Sequence, residues 1–166
     1  MKIWQRSVFA SLLVLLCVFK ASAQEIGLAI GSRPPSVTLT DLEGIKVDLA
    51  QYIGKKPVLL EFWATWCPLC KALEPQLTSA RQRFGNKVEV IVVAVGVNQS
   101  PHSIKRHIEK HKMPGRVLWD GDGEAVRAFM APGTSYVVML DKAGKVVYTG
   151  AGSEQKLLPA LARAAK

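Results

Sequence analysis

Glu61-Phe62-Trp63-Ala64-Thr65-Trp66-Cys67-Pro68-Leu69-Cys70 is the stretch whose reading decides the fold. Two cysteines separated by two residues stand where an apolar run ends and a helical pattern begins. After them, Cys70, Leu73, Leu77, Ala80 and Phe84 recur at steps of three and four, one stripe of an amphipathic helix. Before them, Val58-Leu59-Leu60 and Phe62-Trp63 read as a buried strand. Cys67 therefore lies at a helix start and Cys70 one turn further in, at a separation of roughly 5–6 Å that suits a disulfide. Unpaired N–H groups and the helix dipole stabilise a thiolate at such a start. Cys70 falls on the core-facing stripe. An accessible nucleophile beside a covered resolving thiol is the asymmetry of a redox pair.

A bare Cys-x-x-Cys also serves zinc, copper and haem sites. In the context strand–Trp–Cys–helix, however, the stretch resembles the thioredoxin superfamily, and Trp63 to Cys70 is most similar to the TlpA/ResA-like thiol-disulfide oxidoreductases. The resemblance extends over nearly all of the chain after its N-terminal leader. It implies an α/β thioredoxin-like fold: a central mixed sheet flanked by helices, with an N-terminal β-hairpin and an inserted helix-strand.

The 166 residues, 49% of them hydrophobic, allow one compact domain with a core of its own. Residues 1–23 read as a signal peptide. Lys2 and Arg6 precede an apolar run from Val8 to Phe19, and Ala21-Ser22-Ala23 supplies a small-x-small cleavage pattern. A retained anchor is the alternative, but the run is short of the roughly 20 residues that a spanning helix needs. A lipid anchor on Cys17 is disfavoured by the bulky Leu16 before it. Removing Lys2, Arg6 and Lys20 from the 22 basic residues leaves 19 against 13 acidic ones, a formal charge of +6. Of the three cysteines, two then remain, and both are in the motif. A framework of structural disulfides is excluded, and the pair is left for chemistry.

Residues 24–35 are expected to form an arm, and 36–166 the domain. Val37 to Thr40 and Lys46 to Leu49 flank a turn-rich link and predict the hairpin. Val88 to Val97, long and β-branched, predicts a central parallel strand that completes a right-handed βαβ unit with the strand and helix before it. Ser100-Pro101 is a helix start, and that helix should run to about Lys112. Val117 to Trp119 predicts a short strand and Glu124 to Met130 a short helix. Tyr136 to Leu140 and Lys145 to Thr149 predict a closing hairpin. Pro159 means that the last helix either starts late or kinks.

Glu61 lies six residues before Cys67, where thioredoxins carry a buried aspartate that exchanges protons with the second cysteine. An acid inside an apolar strand is costly without purpose. A buried carboxylate has a raised pKa and can serve as a general base near neutrality. Trp66 offers a flat apolar surface beside the nucleophile, and the resemblance implies that it docks substrate. Pro68 rigidifies the turn. Leu69 carries no charge, whereas strongly oxidising relatives often place a histidine in the intervening pair, so the chain leans towards reduction. The family also carries a cis-proline loop facing the cysteines. Here either Pro132 or Ser135 takes that position, and Pro132 is preferred because proline is the residue for which cis costs little.

His107 and His111 share a helix face, as metal ligands could. No third ligand accompanies them, and Lys105, Arg106, Lys110 and Lys112 surround them, so a solvated basic helix is the expectation. Asp120-Gly121-Asp122-Gly123-Glu124 has the wrong residues for a calcium loop and reads as a turn before a helix.

The expected function is an exported thiol-disulfide oxidoreductase of the bacterial periplasm or cell envelope, a monomer not inserted in the membrane after leader removal. Cys67 attacks a disulfide-containing protein substrate, and Cys70 resolves the mixed disulfide with help from Glu61. No metal or organic cofactor is required, and nucleic acid is not an expected partner. By resemblance, a membrane electron donor re-reduces the pair. Two other functions fit the motif less well. In peroxiredoxins a threonine stands three residues before the nucleophile and a proline seven before, where this chain has Ala64 and Leu60. A copper carrier would use both thiolates but usually wants a histidine or methionine close by.

Overall fold

A computed structural model describes residues 27–166. The leader at 1–23 and the start of the arm lie outside the described residues. Among these, no helix is long and apolar enough to cross a membrane.

Strand β3 (Val58–Trp63) lies in the interior of the sheet and is buried at all six positions. Helix α1 (Pro68–Phe84) follows it, then β4 (Glu89–Val95), which pairs parallel to β3 from Val58↔Glu89 to Trp63↔Ala94. Helix α2 (Pro101–Lys110) leads into β5 (Arg116–Asp120), parallel to β4. With β1 (Thr38–Thr40), β2 (Lys46–Asp48), β6 (Tyr136–Leu140) and β7 (Val146–Gly150), the sheet has seven strands in the order β2-β1-β5-β4-β3-β6-β7. Helices α3 (Glu124–Ala128) and α4 (Leu157–Ala164) complete the α/β architecture, a thioredoxin-like mixed sheet flanked by helices.

From β3 to β4 and from β4 to β5 the chain steps the same way across the sheet. Right-handed crossovers therefore lay α1 and α2 on one face. Leu59 and Val90 of that face pack with Leu73, Leu77 and Ala80 of α1 and with Leu157, Ala160 and Leu161 of α4. Leu60, Phe62, Ile91, Val93, Tyr136 and Val138 point to the other face, where Phe129 beyond α3 closes over Phe62 at a ring distance of 5.8 Å.

Local chemistry explains the element ends. Ser100 and Ser103 bond reciprocally to one another's N–H groups in a capping box, with Pro101 in the first turn. The carboxylate of Asp120, buried at the end of β5, accepts the N–H groups of Ala125 and Val126, which turns the acidic stretch into a helix start. Helix α4 begins at Leu157, so Pro159 sits in its first turn, where a missing N–H goes unmissed. Of the arm, residues 27–32 are tied down. Gly31 N–H donates to the Val146 carbonyl, and Val146 N–H to the Ser32 carbonyl.

Candidate active site

Cys67 is the N-cap residue of α1 and Pro68 opens the helix. The two cysteines form a disulfide with their Cα atoms 5.3 Å apart. Cys67 Sγ also accepts the Cys70 N–H at 3.1 Å, so one of the helix's free donors points at this sulfur. Cys67 keeps 5% exposure and Cys70 none. Trp66 and Leu69 on either side are about half exposed and rim the dithiol with apolar surface.

The motif rests on the loop after β4. Gln99 Oε1 accepts the Thr65 N–H at 2.9 Å, and Gln99 Nε2 donates to the Val95 carbonyl at 2.7 Å. Trp66 Nε1 donates to the Val97 carbonyl at 2.9 Å. Sequence reasoning missed Gln99; an amide four residues past the end of β4 carries no periodic signal.

Glu61 is wholly buried in the middle of β3, between Val92 of β4 and Val137 of β6. Among the described residues neither carboxylate oxygen has a hydrogen-bond partner. Burial first, and the charge of Glu74 on α1 second, push its pKa from 4.5 up to about 8. A carboxyl with that acidity is matched to exchange a proton with a thiol near neutral pH.

The loop facing the motif resolves into two different positions. Pro132 stands exposed, and no peptide bond among the described residues is cis. Ser135 is buried, with φ at +61°, and its N–H donates to the Phe62 carbonyl at 2.7 Å. Cys70 Sγ lies 3.9 Å from that same carbonyl. The Ser135 N–H and Cys70 Sγ thus approach the same carbonyl. The Ser135 side chain and carbonyl are held in turn by the Gly152 N–H and by Gln155 Nε2.

His107 requires a correction, whereas His111 is exposed as expected. His107 is not on a solvated face: it is half buried, its ring 5.3 Å from that of Trp63 and 4.6 Å from that of His111. The physical reason is the shared face of α1 and α2, which turns these histidines towards the dithiol. A cavity of about 210 Å³ is lined by Trp63, Cys67, Lys71, Glu74, His107 and His111. Burial first, then His111, lowers the His107 pKa; Lys71 lowers it too, while Glu74 opposes. The spacing Ile104, His107, Ile108, His111 was the signal that could have found this face. Among the described residues no three His, Cys, Asp or Glu side chains are grouped to hold a metal ion.

The cysteine assignment has a direct check. Reduced Cys70→Ala protein should alkylate with iodoacetamide faster near neutral pH than reduced Cys67→Ala protein. Equal rates in the two variants would reverse the order of attack.

Comparison with known proteins adds three findings to this geometry. The family model described as Redoxin matches residues 29–164. The thiol-disulfide oxidoreductase ResA of Bacillus cereus is 28% identical over 134 residues, 81% of this chain and 76% of its own. That of Geobacillus kaustophilus is 29% identical over 167 aligned positions, 95% of each chain. Among solved structures, a Chlorobium tepidum chain assigned as a thiol:disulfide interchange protein DsbE superposes with a TM-score of 0.74. It is 22% identical, and the match covers 84% of this chain and 99% of that one.

Proposed function

The chain belongs to the redoxin family, as a TlpA/ResA-like thiol-disulfide oxidoreductase of the thioredoxin superfamily, and we propose that it is an exported member that reduces protein disulfides in the bacterial cell envelope. The observation that carries the redox reading is the capped, just-accessible Cys67 bonded to a fully covered Cys70 one turn inside α1.

In the reduced protein the Cys67 thiolate attacks a substrate disulfide, one sulfur leaves as thiolate, and a mixed disulfide forms. Glu61 takes the Cys70 proton. Cys70 then attacks Cys67 Sγ, the intramolecular disulfide forms, and the second substrate sulfur leaves. Two electrons pass from the dithiol to the substrate, and the thiolates released take protons from the medium. Trp66, Pro68 and the loop carrying Pro132 and Ser135 form the surface against which a substrate polypeptide would lie. Export is supported by the leader-like residues 1–23, and a membrane electron donor is the partner required to return the pair to its dithiol form.

The direction of the reaction rests on Leu69. No charged group between the cysteines stabilises the thiolate further, so the disulfide should be a weak oxidant. Its potential should lie near the roughly −270 mV of thioredoxin, away from the about −120 mV of a strong periplasmic oxidant. Equilibration with glutathione measures it. A value above about −150 mV on the same scale would make the protein an oxidase.

A further inference from the structure

A buried base must be emptied before it can act. Glu61 has no exposed atom and holds a proton at neutral pH, so taking the Cys70 proton requires that its own first reach solvent. Sideways the path is closed by Val92 and Val137, its neighbours across the sheet. Above it stands Glu74, half buried on α1 one turn beyond Cys70, the ionisable group whose charge acts on Glu61. Glu74 in turn lines the cavity that holds Cys67, His107 and His111. At a share of about 30 Å³ per molecule, that cavity has room for several waters. His111 is exposed at its outer end, at the C-cap of α2.

We propose that Glu74, His107 and His111, with water in the cavity between them, form the proton outlet of the dithiol, linking buried Glu61 to solvent. The proposal rests on Glu61 being the acceptor for Cys70. In each turnover the proton resting on Glu61 first passes by way of Glu74 to the His107 imidazole, to His111 and to bulk water, and the Glu61 carboxylate so formed takes the proton of the Cys70 thiol. Cys70 sulfur bonds to Cys67 sulfur, and the Cys67–substrate bond breaks with its electron pair on the substrate sulfur. Glu61 is left protonated, as it was at the start. The groups facing His107 are Lys71 and Glu74 from α1, His111 from α2 and the uncharged Trp63 from β3. Burial, His111 and Lys71 together favour the neutral imidazole, the form able to receive a proton. His107 and His111 are positioning and relay groups here; neither touches the reacting sulfurs.

Chemical rescue tests the outlet. His107→Ala should slow resolution of a preformed mixed disulfide at pH 7 by about 10-fold or more, towards the 10²–10⁴-fold of a lost general base, and leave the Cys67 attack rate unchanged. Imidazole in the buffer should restore the rate by entering the vacated space, in proportion to its neutral form. His107→Gln, which keeps most of the side-chain volume, should be slowed as His107→Ala is, guarding against a folding defect. Resolution at the parent rate in both variants, or slowing that imidazole does not relieve, overturns the outlet. Glu61→Gln separates the two readings. If it resolves slowly while His107→Ala is fast, the outlet alone fails; if it resolves at the parent rate, the acceptor and the outlet fail together.

Discussion

Glu61→Gln should slow resolution by about 10²–10⁴-fold, the usual cost of removing a general base, while attack by Cys67 keeps the parent rate. The two steps draw on different parts of the fold. Attack depends on the helix start at Cys67 and on the apolar rim of Trp66 and Leu69. Resolution depends on removing a proton from Cys70, which no water touches, and Glu61 is the acid buried on β3 beneath the motif's helix. Stopped-flow single turnover separates the two, and a mutant that resolves normally would reduce Glu61 to a strand residue.

The same carboxyl should govern stability against pH. Its pKa rises from 4.5 in the unfolded chain to about 8 in the fold, so between those values the folded state carries a proton that the unfolded state has lost. Folding stability therefore falls as pH rises through that window and levels off above it. At 1.36 kcal/mol per unit the total is on the order of 5 kcal/mol. The Gln variant should lose this slope. Denaturant titrations at a series of pH values measure it, and a parent curve level from pH 5 to 8 would remove the buried proton from the account.

Gly96→Ala should destabilise the fold by about 1–3 kcal/mol or more, with a Tm lower by several degrees. A Cβ at this position would lie 2.4 Å from the Gly121 carbonyl oxygen and 3.1 Å from that of Asp120. Those atoms are backbone and cannot rotate away, so the ends of β4 and β5 must part. The residues next along the chain are Val97 and Gln99, which hold Trp66 and Thr65. The substitution should consequently disturb the motif as well as the sheet. A melting temperature equal to the parent's would show that the strand ends yield freely.

The dithiol and its strand were legible because their signals are local. The steps from Cys70 to Phe84 repeat the helical period, and Glu61 stands out as an acid in a run of apolar residues. The hairpins and the helix start at Ser100-Pro101 were readable for the same reason. The site's other wall was not. Whether His107 meets water or Trp63 depends on which face of the sheet α2 covers, and this follows from the direction in which two crossovers step, not from any residue in α2. The loop of residues 129–135 hid its register too. It has no period, and its residues with positive φ, Met130 and Ser135, are not the glycines that would announce such turns.

The shared face of α1 and α2 has a consequence for how such an enzyme diversifies. The sulfur chemistry is written in residues 61–74, whereas the second wall of the Cys67 cavity arrives on a separate cassette, residues 101–120, added beside β4. Exchange of that cassette would alter the charge, shape and acidity facing the nucleophile and leave the strand and helix that carry the cysteines untouched. The reactive centre and its surroundings can thus vary separately, within the limits set by the contact of His107 with Trp63.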